Sequence, residues 1–82
     1  MREGARARWY VLVTGSDFDA HLPHWHGNTV LEGGMRTDII NVQINQVRVV
    51  DMKPDDPGIW LFHCHVAGHL AGGMEARYAV AK

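Results

Sequence analysis

All six histidines of this 82-residue chain fall in two short windows. The first is His21-Leu22-Pro23-His24-Trp25-His26-Gly27, and the second is His63-Cys64-His65-Val66-Ala67-Gly68-His69, which encloses the only cysteine. A lone histidine is ordinarily a surface residue or a satisfied core residue. Six gathered in this way, neither consecutive nor terminal as in an affinity tag, point instead to metal, because imidazole and thiolate are ligands of zinc and copper. Any fold open to this chain must bring the two windows together. The need for metal is also a matter of size. So short a chain buries a modest share of its surface and leans on a metal, a disulfide or a partner. A disulfide within the chain is excluded by the single Cys64.

The rest of the sequence reads as a β protein. Residues Trp9 to Thr14 (WYVLVT) are aromatic and β-branched and run into Gly15, Ser16 and Asp17, which predict a turn. Asn28 to Glu32 predicts a short strand ended by Gly33-Gly34, and alternation predicts strands over Arg36 to Ile44 and Val47 to Lys53. Pro54-Asp55-Asp56-Pro57-Gly58 predicts a turn, since proline fixes φ and glycine admits positive φ. Ile59 to His65 (IWLFHCH) is the strongest strand, Val66 to Ala71 reads as a helical turn or loop, and Arg77 to Val80 as a last strand. Five or six short strands with frequent turns imply an all-β sandwich or barrel, and the pattern alone does not choose between them.

Strand geometry sorts the candidate ligands, because successive side chains point to opposite faces. His63 and His65 face one way and Cys64 the other. His24 and His26 share a face, and His21 points away from them. One group is therefore His21, Cys64 and His69; the other is His24, His26, His63 and His65. Two histidines, one thiolate and a weak axial methionine make a blue-copper site, and Met74 in Ala71-Gly72-Gly73-Met74 lies where a glycine-rich backbone can bring its thioether over. A structural zinc site would show paired cysteines, so copper is the better reading. The four remaining imidazoles need a metal of their own, separated from the first only by the Cys64 backbone.

These residues resemble the C-terminal domain of multicopper oxidases, which include laccases, ferroxidases and ceruloplasmin-like proteins. The resemblance lies in His63-Cys64-His65 with His69 and Met74, in His21 to Gly27, in Arg36-Thr37-Asp38 and in Pro57 to Phe62, and it runs from about Arg8 to Val80. It implies a cupredoxin-like (plastocyanin-like) Greek-key β-sandwich, with residues 1–82 forming a single partial domain that lacks the family's first strands. It also implies a proline-containing turn where Asn41 to Gln46 stands here. By the resemblance, His21, Cys64, His69 and Met74 bind type 1 copper, His24 binds type 2 copper, and His26, His63 and His65 bind the type 3 pair. Electrons would pass from a reducing substrate, a phenol or a metal ion, to a trinuclear cluster that reduces O2 to water. That cluster takes eight histidines from two cupredoxin domains. Here six histidines less the two of the type 1 site leave four, so a second cupredoxin domain or a homo-oligomer is implied. Two alternatives from other classes are a free-standing mononuclear blue-copper electron carrier and a copper-binding module without redox function.

Other partners find no support. A formal net charge of −1 gives no reason to expect nucleic acid or an anionic membrane, and Arg2, Arg6 and Arg8 read as a solvated strand entry. No apolar run approaches the ~20 residues of a membrane helix, and Met1 to Arg6 has no signal-peptide core. An extracellular or periplasmic location is implied by the resemblance alone. Trp25 and Trp60 are expected as packing walls beside the ligands, and Asp38, Asp55 and Asp56 as turn or surface residues.

Overall fold

Short β-branched and aromatic runs cannot bury themselves singly; they pair, and paired sheets bury one face against each other. The computed structural model describes residues 1–14 and 20–82, so the turn expected at Gly15 to Asp17 lies outside the described residues. Strands β1 (Ala7–Leu12), β2 (Pro23–Trp25), β3 (Val30–Glu32), β4 (Met35–Thr37), β5 (Val47–Met52) and β6 (Gly58–Cys64) are followed by α1 (Ala67–Ala71) and β7 (Glu75–Val80). They make two sheets, ordered β1-β5-β3-β4 and β2-β6-β7, in which every strand pair is antiparallel. Among the described residues neither sheet closes into a barrel, which settles the choice that the pattern left open.

Alternation decides what each sheet buries. In β5, Val50 and Met52 turn inward while Val49 and Asp51 face water. In β1, Val11 turns inward between exposed Tyr10 and Leu12. These inward residues meet Val30, Trp25, Tyr78 and Val80 in one core between the sheets. Trp25 is 1 % exposed and packs against Phe62 and Trp9 with ring centroids 4.9 and 5.6 Å apart, so one expected wall is a core residue.

The long strand expected over Arg36 to Ile44 is corrected. The chain leaves the first sheet after Thr37, whose hydroxyl accepts the Ile39 N–H and donates to the Ile39 carbonyl. Residues 38–42 then run beside β2, with Trp25 N–H donating to Asp38 C=O, Ile40 N–H to Pro23 C=O, and a mutual pair between His21 and Val42. The shared parity of Ile40 and Val42 survives this crossing, and both are buried. The reversal between Asn41 and Gln46 needs no proline. Asn45 takes a left-handed φ of 61°, which asparagine tolerates better than most residues, and Gln46 Oε1 accepts the Gln43 N–H. Gly33-Gly34 ends β3 as expected and, with φ of 56° and 82°, turns the chain into a hairpin with β4.

Candidate metal centre

Strand β6 is the spine of the site. Its residues 60 and 62 pack on the core, so Cys64 points to the core side while His63 takes the opposite face with Leu61 and Ile59. Neighbouring β2 is in matching register, pairing Pro23 with Cys64, His24 with His63 and Trp25 with Phe62. Two ligand groups therefore stand back to back across one sheet.

On the core side, His21, Cys64 and His69 offer ligand atoms that all lie within 4.8 Å of one another. His69 comes from α1, which turns the chain back at once: its Nδ1 lies 3.4 Å from Cys64 Sγ, and its ring stacks on His21 at 4.6 Å. Burial pushes the Cys64 thiol up, but hydrogen bonding by the Leu22 and Val66 backbones and by His69 outweighs it, and the net shift is downward. A lowered thiol pKa favours the thiolate, the form that binds metal. His21 is 7 % exposed and its Nδ1 is buried without a hydrogen-bond partner. Such an orphan is costly, and a metal at this group would satisfy it; the donor set fits copper. Met74 follows in the chain and returns beside the cysteine, its carbonyl accepting the Cys64 N–H at 3.1 Å. Met74 and Cys64 both line a groove of about 450 Å³ between the end of β1 and the start of β7, and Met74 is 45 % exposed.

On the other side, His24, His26 and His63 form a second group within 4.8 Å. His65 stands next to it just beyond β6, its ring 5.3 Å from His24 and 5.8 Å from His63. The structure thus gathers all four expected imidazoles on one surface, three of them tightly. Two carbonyls fix the tautomers. His24 Nδ1 lies 2.9 Å from Asp38 C=O and His63 Nδ1 lies 2.9 Å from Cys64 C=O, so both Nδ1 atoms carry the proton and leave Nε2 for a metal. His26 Nε2 faces His63 Nε2 at 2.9 Å. Burial first, then the nearby His24, His63 and His65, hold His26 below the usual imidazole range. A neutral imidazole is the metal-binding form. The His63–Cys64 bond also joins the two groups directly.

The sequence assigned no site role to three contributors. Asp38, expected as a turn or surface residue, acts through its main-chain carbonyl, which any residue could supply. Asn28 and Tyr78 were read as a strand start and part of a last strand, yet both are buried and hydrogen-bonded beside His26. Trp60, the second expected wall, lies over Gly27 and donates from Nε1 to Asp56 C=O at 2.9 Å.

The family profile described as "Multicopper oxidase" matches residues 1–82. Human hephaestin is 37% identical over 83 residues, covering 98% of this chain and 7% of hephaestin. Human ceruloplasmin is 35% identical over 83 residues, covering 98% of this chain and 8% of its own length. A solved multicopper oxidase from Campylobacter jejuni, described as a metallo-oxidase, superposes with a TM-score of 0.82 at 25% identity, over 100% of this chain and 20% of that one. The chain thus spans less than a tenth of the length of either of these relatives.

Proposed function

The chain belongs to the multicopper oxidase family, whose members bind copper, and from that premise we propose that residues 1–82 form the copper-holding cupredoxin part of such an oxidase. Its role is to take electrons from a small reducing substrate, a phenol or a metal ion, toward a trinuclear site that reduces O2 to water. Copper, when bound, supplies one-electron redox chemistry at both groups. Cys64, His21 and His69 would hold the first ion, and Met74 would add its thioether. His24 serves type 2 copper, and His26, His63 and His65 serve the type 3 pair. One observation carries the reading: adjacent residues of one strand serve opposite faces, and the His63 Nδ1–H bond to Cys64 C=O at 2.9 Å links them.

The surrounding side chains do the rest. Hydrogen bonding to Cys64 Sγ by Leu22 N–H keeps the thiolate oriented. Asp38 and Cys64 carbonyls hold two imidazoles in the tautomer that leaves Nε2 available. Trp9, Trp25 and Phe62 pack together behind β6, and Cys64 itself is 4 % exposed. Four imidazoles make half of a trinuclear site, so a second cupredoxin domain, or a second copy facing this one, completes it. An extracellular or periplasmic setting goes with this role, and no helix among the described residues is long and apolar enough to cross a membrane.

The test is optical and respirometric. Cu(II) added to the full chain should give an intense blue band that the Cys64→Ser variant lacks. Oxygen uptake with a phenolic or Fe(II) donor should appear only in a self-associated chain or when a second histidine-bearing cupredoxin domain is supplied. A folded chain that stays colourless with Cu(II) would sink the proposal, and a blue chain without oxygen uptake in any pairing would mark a mononuclear carrier.

A further inference from the structure

His26 lies one residue past the end of β2, beyond the last paired position of the ladder. Its N–H donates to Leu61 C=O at 2.9 Å, and the chain turns immediately at Gly27, whose φ is +77°. The other side of the His26 peptide is held from the core. Tyr78, on β7, donates its hydroxyl proton to His26 C=O. With that proton committed, the Tyr78 oxygen accepts from Asn28 Nδ2 at 3.2 Å. The second Nδ2 hydrogen goes to Asp56 C=O at 3.3 Å, and Oδ1 accepts the N–H groups of Asp55 and Asp56, both at 3.1 Å. Asn28 is 4 % exposed, and its two donors and two acceptor positions are all used.

We propose that Asn28 and Tyr78 are positioning residues for the histidine surface: together they fix His26 relative to the turn that launches β6, and so relative to His63. The inference rests on reading His24, His26 and His63 as a metal site. The hydrogen-bonded chain runs from the 54–58 turn through a buried amide and a buried phenol to the backbone of a single imidazole. It touches neither His21, Cys64 nor His69. Partners bonded to a ligand's own side chain are typically worth 10- to 100-fold in metal affinity; Tyr78 acts on the same ring through the His26 backbone. A merely structural pair would instead weaken both groups alike.

Tyr78→Phe removes one oxygen and keeps the ring against Trp9, 5.7 Å away. In the full chain, Cu(II) titration followed by dialysis and electron paramagnetic resonance separates the blue ion at Cys64 from the non-blue ion at the histidines. Tyr78→Phe and Asn28→Ala should weaken the non-blue ion by roughly 10- to 100-fold and leave the blue band at its wild-type position and intensity. Unchanged non-blue affinity overturns the proposal, as does parallel loss of both ions. Should Tyr78→Phe not fold, Asn28→Asp carries the test, since it keeps acceptors for Asp55 and Asp56 and loses the donor to Tyr78. Imidazole NMR of the metal-free chain decides the matter independently of copper: the His26 ring resonances should broaden or split in Tyr78→Phe while those of His21 stay as they were. A wild-type chain that binds no non-blue copper ends the metal reading, and the NMR result still decides whether these residues position His26.

Discussion

Gly27 shows how tightly single residues are constrained around the histidines. A Cβ built there would lie 2.2 Å from Trp60 Cδ2, and its φ of +77° is one that L side chains rarely adopt. The left-handed backbone and the overpacking together predict that Gly27→Ala destabilises the chain by about 2–5 kcal/mol, to be read from urea unfolding. His26, its neighbour, sets a pH dependence. Its folded pKa lies below the unfolded 6.5, so the unfolded chain binds this proton more readily. The stability it contributes is present above pH 6.5 and is lost as pH falls through the depressed folded value. The urea midpoint of the metal-free chain should therefore fall on acidification across that window, and His26→Gln should flatten the fall. Residue identities at the metal groups were legible because six histidines and a cysteine in two windows have few other uses. Asn28 and Tyr78 were not, because a buried asparagine is recognised by what it bonds to, and those partners come from distant turns and strands.

Elements followed the alternation of apolar residues wherever a strand stays in one sheet. In β5 the inward Met52 and outward Val49 make this testable within one strand. Met52→Ala should cost about 2–5 kcal/mol, since it empties a filled core position, while Val49→Ala should stay within about 0.5 kcal/mol. Equal effects in thermal or urea unfolding would mean that the register is wrong. The same periodicity could not show where residues 36–44 change sheets. Ile40 and Val42 keep their parity through the crossing, so the apolar pattern is continuous while the hydrogen bonding passes from β3 to β2. Thr37 caps that bend through its own hydroxyl, a local bond that competes with the ladder. Asn45 likewise does by left-handed φ what proline was expected to do.

For the whole molecule, the outward face of β2-β6-β7 carries the histidine surface and, farther along β6, the exposed Leu61 and Ile59. On the proposal that this face supplies half of a trinuclear cluster, a two-fold pairing would present each chain's four imidazoles to the other's. Analytical ultracentrifugation with copper quantification should find that chains carrying more than one copper each are associated; a monomer fully loaded with one copper would rule out self-completion. Sequence alone determined the metal chemistry and the division of its ligands, because ligand type is a property of side chains and strand parity assigns neighbours to opposite faces. Only the tertiary structure decided that the sheets stay open, that β2 meets β6 in the register that sets His24 opposite His63, and that an amide and a phenol from the core bond to the His26 backbone. Those outcomes depend on pairings between residues remote in the chain, and periodicity, being local, carries no information about which strand becomes the neighbour of which. The clustered histidines thus announced a metal, and the sheet between them explains how one strand presents candidate ligands to two groups.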